Sequence, residues 1–528
     1  MVVLSRKDAA THLPFYVSLS RLLRHPLEEM GWCYSDKPCA SKQIPGESVV
    51  CVCNATYCDE LQRSIPSKDT FYVYTSSEGG LRFRKQAGIF ATRSDDLRKF
   101  HLVLDPKKTY QKIQGFGGSV TDAAGINWKS LTPTLRKSLI DSYYGIRGLE
   151  YNMARVPIGG SDFSTHPYAY NELPVNDVHL TNFTLAPEDF QFKLPMIHHI
   201  MNTSKVPVDI VATTWSPPPW MKNNNEFTGF SRLRTEYYQT YSDYHVKFLQ
   251  KYKSEGVSIW GITTTNEPID GVFNLVPFNS LGWTSAEMGE WIVNNLGPTI
   301  RNSEFKDLKI LTCDDQRYTI PTWFAGLTNE YPEVLQYIDG IGVHFYGDKV
   351  SPAHYLDMVT NKYPDKFILA TEACEGAYPW ETSVILGSWN RAKSYITDII
   401  EDLNHNIVGW IDWNLCLDSE GGPNWAKNFV DSPIIVFADK QEFYKQPMYY
   451  ALGHISKFIP RQSYRIAVET SEGSDNSVAF VTPRNTTVIV LYNDDDEKTI
   501  HIKCGEKALQ LKLEKRSIVT VELCNADT

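Results

Sequence analysis

The chain has 528 residues and a formal net charge of −10, and 42% of its residues are hydrophobic and 12% aromatic. This length exceeds that of one ordinary domain, so we expect a core domain of about 250 residues or more with smaller companions. The acidic balance argues against nucleic-acid binding. The sequence contains no apolar run long enough to span a bilayer, so any contact with a membrane is expected to be peripheral.

Residues 1–36 form an N-terminal extension that we interpret as either a signal segment or a disordered one. The apolar run at 13–21 is short, and basic residues soon follow it. An export signal would instead supply an uninterrupted apolar stretch.

Four of the ten cysteines fall close together, at Cys39, Cys51, Cys53 and Cys58. No histidines stand at zinc-finger spacing beside them, which favours an oxidised, secreted-type module over a metal site. Four Asn-x-Ser/Thr sequons point to the secretory pathway as well. These glycosylation candidates are Asn54, Asn182, Asn202 and Asn485.

Strand patterns begin with a predicted hairpin, residues 71–74 and 81–84 around Gly79-Gly80, and a further strand at 101–104. From residue 112 onward, strand patterns alternate with amphipathic helix patterns, which is typical of a parallel sheet. Eight strands are predicted in this region, at 112–118, 151–158, 208–214, 258–265, 308–312, 338–345, 367–371 and 407–413. A (β/α)8 TIM barrel is therefore the expected fold.

Helix signals occur between these strands. Residues 133–143 follow Thr132 as a cap, with Pro133 in the first turn. Residues 285–296 are predicted to run from a capping box formed by Thr284 and Glu287 to a stop at Gly297-Pro298. Aromatic residues at helical spacing between 237 and 252 indicate core packing.

Beyond residue 413 the alternation stops, and short strands follow one another from 464 to 524. They predict a β-sandwich completed by the hairpin region at 70–104, so that the barrel lies between two halves of a β-domain. The expected domains are a disulfide-bonded β module at 37–66 with 415–447, a catalytic barrel at 111–414, and a β-sandwich at 67–110 and 460–528.

Two carboxylates, Glu267 and Glu372, each follow a predicted buried strand, the fourth and the seventh of the barrel. The carboxyl ends of barrel strands meet at one mouth. A pair of carboxyls there is typical of a glycoside hydrolase, and a retaining enzyme holds them about 5 to 5.5 Å apart. Glu267 would be the general acid and then base, with a raised pKa, and Glu372 the nucleophile. The alternative is that both are structural carboxylates paired with arginine.

Neighbouring strand ends supply partners for this chemistry. Arg155 would keep Glu372 ionised, Asn266 would bind the sugar 2-hydroxyl, and Tyr346 would orient the nucleophile. Asp162 would bind sugar hydroxyls, while Trp215 and Trp413 would stack on the sugar ring or simply pack in the core. We expect neither a metal nor another cofactor, because no ligand cluster of credible spacing occurs in the sequence.

Several motifs resemble the glucosylceramidases of glycoside hydrolase family 30, over nearly everything from residue 37 onward. The motifs are SVVCVCNATYCD at 48–59, GFGG at 115–118, TDAA at 121–124, GGPNW at 421–425, FVDSPIIV at 429–436 and FYKQP at 443–447. The resemblance implies Glu267 as acid/base and Glu372 as nucleophile. It also implies that Asn428 contacts glucose with the residues named above, that His344 lies near the nucleophile, and that Cys39 pairs with Cys51 and Cys53 with Cys58.

The activity implied by the resemblance is hydrolysis of glucosylceramide to glucose and ceramide in the lysosome, by double displacement. It also implies a glycosphingolipid substrate, a saposin-type activator and an anionic membrane surface, for which Phe278 and Trp283 are possible lipid contacts. Thr265 departs from the family pattern just before Asn266. Two alternatives stay open: a retaining enzyme for another β-linked glucoside, steryl glucoside or glycan, and a silent binding relative.

Overall fold

The computed structural model describes residues 37–90, 100–471 and 476–525, so the predicted N-terminal extension lies outside the described residues. Five strands precede the barrel: β1 (Ser41–Gln43), β2 (Val49–Cys53), β3 (Thr70–Ser77), β4 (Arg84–Ile89) and β5 (Leu102–Lys112). The hairpin of β3 and β4 is present. Its second strand begins only at Arg84, where backbone pairing with Thr75 starts.

Eight parallel strands close into a barrel in which each strand pairs with the next and the last returns to the first. They are β6 (Gly115–Ser119), β7 (Met153–Ile158), β8 (Asp209–Thr214), β9 (Gly261–Thr263), β10 (Lys309–Gln316), β11 (Gly340–His344), β12 (Phe367–Glu372) and β13 (Ile407–Asn414). The predicted TIM barrel is confirmed. Glycine is needed in β6, because a Cβ at Gly117 would lie 2.1 Å from the carbonyl oxygen of Met153.

Ten helices of the described residues accompany the barrel strands. They are α1 (Asp122–Ser130), α2 (Pro133–Tyr144), α3 (Leu194–Thr203), α4 (Tyr238–Ser254), α5 (Asp270–Phe273), α6 (Ser285–Trp291), α7 (Gly297–Arg301), α8 (Ala325–Glu330), α9 (His354–Lys362) and α10 (Trp389–Asn404). The short α5 among them lies at the carboxyl end of β9. The predicted capping box at Thr284 and Glu287 begins α6. The aromatic stripe of α4 is buried, as predicted.

The predicted helix stop at Gly297-Pro298 is wrong. After α6 the chain makes a π-helical turn at Ile292–Leu296 and continues directly into α7. Pro298 falls in the first turn of α7, where a missing N–H group costs little and the fixed φ of proline suits a helix. Glycine and proline together therefore begin a helix here.

The remaining elements follow the barrel. They are β14 (Ile434–Phe437), β15 (Glu442–Lys445), α11 (Pro447–Ser456), β16 (Tyr464–Thr470), β17 (Ser477–Val481), β18 (Thr486–Asn493), β19 (Lys498–Cys504), β20 (Lys507–Leu513) and β21 (Ser517–Cys524). The sequence analysis missed β19, whose alternation of charged and apolar residues lies between two predicted strands.

Two further sheets combine segments from before and after the barrel. A small sheet has the order β1-β2-β15-β14, and a nine-stranded sheet has the order β20-β19-β5-β16-β17-β18-β21-β3-β4. Side chains of β19 and β21 share one apolar core although these strands stand five places apart. The large sheet therefore folds over itself, which confirms the β-sandwich.

The small sheet carries the two disulfides implied by the resemblance, Cys39–Cys51 and Cys53–Cys58. Cys504 and Cys524 in the sandwich are free thiols. In the part of the chain that the structure describes, no helix combines the length and the apolar character needed to cross a membrane.

Candidate active site

Glu267 and Glu372 meet at the barrel mouth, which we define as the carboxyl ends of β6 to β13 with the loops that follow them. Glu372 is the last residue of β12, and Glu267 lies just beyond β9. The backbone of Glu267 is left-handed, with φ of 42°, and its N–H group donates to the carbonyl of Asp314 at 2.9 Å. A carboxylate oxygen of Glu267 and one of Glu372 lie within 4.8 Å of each other.

Arg155, at the centre of β7, links the groups around this pair. Its Nη1 donates to Glu372 Oε2, and its Nη2 lies 2.9 Å from both Asn266 Oδ1 and Asp314 Oδ2. The guanidinium is fully buried, so the charge-assisted bonds to Glu372 and Asp314 compensate for its lost hydration. These bonds fix one oxygen of Glu372.

Asp314 fills the barrel interior beneath the two glutamates. A Cβ at Gly342 on β11 would lie 2.7 Å from Asp314 Oδ1, so glycine at this position makes room for the carboxylate. Burial disfavours its charge, but Arg155 and His344 outweigh burial and hold the pKa of Asp314 far below its usual range. Asp314 is therefore the fixed negative charge of the site.

His344, the last residue of β11, bridges the acid side of the site. Its Nδ1 is 2.8 Å from Glu267 Oε1 and its Nε2 is 3.2 Å from Asp314 Oδ1. Burial opposes a charge on the ring, but Glu372, Asp314 and Glu267 together raise the pKa of His344 to about 10. His344 is an imidazolium at physiological pH, with both ring nitrogens donating.

The sequence predicted a raised pKa for Glu267, but in the structure the pKa of Glu267 is lowered and that of Glu372 is raised. Burial raises the pKa of Glu372, and the positive charges of His344 and Arg155 offset this only in part. Burial acts in the same direction on Glu267, but the hydrogen bond from His344 outweighs it and lowers the pKa. The prediction of a raised pKa for Glu267 is wrong, because sequence could not show that His344 contacts this residue.

The residues predicted to bind glucose line the same mouth. Asp162 Oδ2 accepts from Asn428 Nδ2 at 3.0 Å and from Asn424 Nδ2 at 3.1 Å, and burial raises the pKa of Asp162 to about 7. The rings of Trp215 and Trp413 stack on each other with centroids 5.0 Å apart. Both rings also contact the Arg155 guanidinium, so they pack in the site wall.

Tyr346 contacts the second oxygen of Glu372. Its hydroxyl donates to Glu372 Oε1 at 2.8 Å and lies 3.2 Å from Cys374 Sγ. Thr265 is buried and donates to the carbonyl of Thr214 at 3.3 Å, so this departure from the family pattern makes a backbone contact.

Gln316 was missed by the sequence analysis. Its Nε2 donates to Glu267 Oε1 at 2.9 Å, and its Oε1 accepts from the N–H of Gly347 at 2.9 Å. Gln316 is the last residue of β10, which extends four residues beyond its predicted end at 312. Correct placement of that strand end would have identified it.

Ligand atoms of Glu267, His344 and Glu372 all lie within 4.8 Å of one another, a spacing that a metal ion could use. The electrostatics do not fit a cation, because His344 has a raised pKa and the guanidinium of Arg155 already binds Glu372.

The four predicted sequons lie in surface segments. Asn182, Asn202 and Asn485 are exposed, whereas Asn54 is partly buried. Asn54 Oδ1 accepts from the N–H groups of Thr56 and Tyr57 and from the Thr56 hydroxyl. Its carboxamide oxygen is therefore engaged in an Asx-type turn.

The suggested lipid contacts Phe278 and Trp283 are wrong, because both side chains are buried. Five exposed apolar side chains lie instead in segments that follow barrel strands, and we call these five the apolar lip. These are Phe230, Phe273, Leu275, Val350 and Trp380, in the loops after β8, β9, β11 and β12.

Comparison with known proteins fits this geometry. Residues 113–459 match the glycosyl hydrolase family 30 TIM-barrel domain, and residues 462–521 match the family 30 beta sandwich domain. The chain belongs to glycosyl hydrolase family 30. In this family, the chain is 42% identical to the lysosomal acid glucosylceramidase of Mus musculus over 478 residues, which cover 89% of this chain and 92% of the mouse protein.

Two further proteins are similar to this chain at lower identity. An endo-1,6-beta-D-glucanase of Neurospora crassa is 26% identical over 426 residues, 76% of this chain and 83% of the fungal protein. The crystal structure of SrfJ from Salmonella typhimurium aligns with a TM-score of 0.80 at 25% identity, covering 87% of this chain and all of SrfJ. SrfJ therefore shares most of this fold.

Proposed function

We propose that the chain is a retaining β-glucosidase that hydrolyses glucosylceramide to glucose and ceramide. The observation that carries this proposal is the approach of Glu267 and Glu372 oxygens to within 4.8 Å. Retaining glycosidases hold their carboxyls about 5 to 5.5 Å apart, whereas inverting enzymes leave roughly 6.5 to 9.5 Å for a water molecule. The name of the mouse relative, a glucosylceramidase, supports the substrate.

Glu372 would attack the anomeric carbon while the bond to the ceramide oxygen breaks and that oxygen takes the proton of Glu267. Water would then attack the glucosyl ester, giving its proton to Glu267 and freeing Glu372 as a carboxylate. Arg155 and Tyr346 hold the two Glu372 oxygens in place for attack. Asp162, Asn428 and Asn266 would bind glucose hydroxyls.

The productive protonation state has the proton on Glu267 and the charge on Glu372. The hydrogen bond from His344 lowers the pKa of Glu267 while burial raises that of Glu372, so bound substrate would have to favour the proton on Glu267. The glycosidic oxygen supplies the reason, because it is an acceptor that only a protonated Glu267 satisfies.

The test compares glucose release from glucosylceramide at acidic pH for wild type, Glu267→Gln and Glu372→Gln. Each substitution is expected to lower kcat by roughly 100-fold or more, because each removes a group that transfers a proton or forms the covalent bond. Exposed Glu255→Gln is the matched control. Proton NMR of the first-formed glucose should show the β anomer, and an α product or near-full activity in either variant would sink the assignment.

We further propose a lysosomal enzyme that works at an anionic membrane surface with a saposin-type activator. The apolar lip supports this, because Phe230, Phe273 and Trp380 are 66%, 61% and 78% exposed around the mouth. Exposed apolar groups that surround a binding site are typical of an interaction surface. They would bring the mouth to the ceramide without a membrane-spanning helix.

Phe230→Ser with Trp380→Ser is expected to reduce hydrolysis of glucosylceramide in anionic vesicles several-fold, because each exposed ring loses up to about 2 kcal/mol of membrane burial. Hydrolysis of a soluble fluorogenic β-glucoside should stay near wild type. Ile89→Ser, which removes an exposed apolar group from β4 of the sandwich, is the control. Equal losses on both substrates would contradict a membrane role for the lip.

A further inference from the structure

A third carboxyl, Asp270, lies beside Glu267 and has no part in the double displacement. It is the first residue of α5, and its N–H group donates to the carbonyl of Glu267 at 3.0 Å. Because of this turn, the side chains of Glu267 and Asp270 lie side by side, with their carboxyl groups within hydrogen-bonding reach of each other.

The Asp270 side chain is buried and poorly satisfied. Its residue is 6% exposed, and no N–H or O–H group of the described residues reaches the buried oxygen Oδ2. The donors nearest the acid, His344 and Gln316, both bind Glu267 Oε1. A buried carboxylate without a donor is unfavourable by several kcal/mol, whereas a carboxylic acid can donate its own proton.

The charges facing Asp270 act in one direction. Glu267, Asp315 and Glu372 are all carboxyls, and burial together with these neighbours raises the pKa of Asp270 well above its usual range. Asp315 already accepts from the N–H groups of Gln316 and Ile269, and burial with the charge of Glu267 raises its pKa to about 8. Tyr318, also close to these carboxyls, is neutral because burial raises its pKa.

We propose that Asp270 is a positioning residue, a neutral carboxylic acid whose O–H group donates to Glu267 and stabilises the carboxylate that Glu267 becomes after protonating the leaving group. This inference rests on the proposed function of Glu267. Asp270 keeps its own proton in both half-reactions, so proton balance is unchanged: Glu267 gives one proton to the leaving oxygen and recovers one from water.

The consequence is a shift of the pH profile. A donor to the ionised form of Glu267 lowers its pKa, so Asp270 makes it a stronger acid. Asp270→Ala removes the donor and is expected to move the basic limb of kcat, which reports the substrate complex, about one unit higher in pH, with maximal kcat falling roughly tenfold.

Asp270→Asn decides between a neutral and an ionised Asp270. Its amide still donates, so a neutral Asp270 predicts a basic limb that stays at the wild-type position. If Asp270 were ionised, the same substitution would remove a negative charge, lower the pKa of Glu267 and move the basic limb to lower pH. That shift would overturn the proposal, as would an unshifted profile in Asp270→Ala. The control is Asp307→Asn, because Asp307 is exposed and lies just before β10, at the end of the strand away from the barrel mouth.

A second measurement separates this inference from the proposed function. Infrared difference spectra at neutral pH should lose one protonated-carboxyl C=O band in Asp270→Asn relative to wild type, whether or not the protein hydrolyses glucosides. Loss of the band with no hydrolysis by wild type refutes the function of Glu267 but not the proton on Asp270. Retention of the band in an active enzyme refutes the assignment of Asp270 alone.

Discussion

At the scale of single residues, the site is controlled by how the two oxygens of Glu372 are held. One oxygen accepts from Arg155 and the other from the hydroxyl of Tyr346. The charged guanidinium of Arg155 and the neutral hydroxyl of Tyr346 fix the plane of the Glu372 carboxylate, so the oxygen that attacks the sugar has one orientation. The hydroxyl also favours the ionised form, which burial disfavours.

Tyr346→Phe removes that hydroxyl. The nucleophile must be ionised, so activity falls as the pH drops through the pKa of Glu372. Loss of a donor to the carboxylate raises this pKa, and the acid limb of kcat, which reports the substrate complex, is expected to move up by about half a unit to one unit. Tyr464→Phe, on an exposed ring of the sandwich, is the control. An acid limb that stays in place would show that the hydroxyl does not influence the charge on Glu372.

Sequence predicted the members of the site better than their partners. Glu267 and Glu372 could be named because barrel strands bring their carboxyl ends together. Arg155 was expected at a strand end as well, but it lies at the centre of β7 and reaches the pair through its long side chain. The contacts of His344 and Gln316 with Glu267 could not be predicted from the sequence. They depend on backbone that leaves the strand line, with left-handed φ of 42° at Glu267 and 53° at Asp314. Such local turns decide which atoms meet, and residue patterns do not report them.

At the scale of elements, α10 holds the loop after β11 through an acidic cluster. Asp398 and Asp402 on α10 and Asp348 in the loop have carboxylate oxygens within 4.8 Å of one another. Arg317 lies among them, with Nε 3.1 Å from Asp348 Oδ1 and Nη2 2.7 Å from Glu401 Oε1. One guanidinium faces four carboxyls, and burial with the neighbouring negative charges raises the pKa of both Asp398 and Asp402.

The pH dependence of stability follows from this cluster. Burial raises the pKa of Asp398 to about 7, although Arg317 opposes the shift. Asp398 therefore binds more protons in the folded state than in the unfolded state between about pH 4 and pH 7, so its contribution to stability falls as the pH rises through this range.

Asp398→Asn keeps an acceptor for Trp410 Nε1 but cannot ionise. We expect it to stabilise the protein by at least about 1 kcal/mol at pH 7 and by much less at pH 4.5. Thermal unfolding at the two pH values measures the difference, and exposed Asp439→Asn is the control. A gain of equal size at both pH values would point to packing instead of charge.

The eight barrel strands were predictable because each carries its own apolar pattern, although β9 spans only Gly261–Thr263 of the predicted 258–265. Predictions were wrong where one residue pattern is compatible with two different local structures. Gly297-Pro298 signals the end of one helix and equally the first turn of another. Neighbouring residues give no means of choosing, since the choice depends on whether the next segment packs against the barrel.

At the scale of the whole molecule, the two companion sheets are each built from segments on both sides of the barrel. β5 pairs with β16 and β19, and β2 pairs with β15. The sequence predicted that the sandwich is split, because strands occur at both ends of the chain. It could not predict the strand order, since no local pattern specifies partners several hundred residues away.

This split arrangement has a consequence for synthesis of the chain on the ribosome. About 350 residues separate β5 from its partner β16. Translation of that length at about 5 to 20 residues per second takes roughly 20 to 70 s. Throughout that interval β3, β4 and β5 have left the ribosome without most of their sandwich partners, and unpaired strand edges favour aggregation. The amount of active protein that a cell obtains should therefore depend on chaperones that protect these early strands while the barrel is still being made.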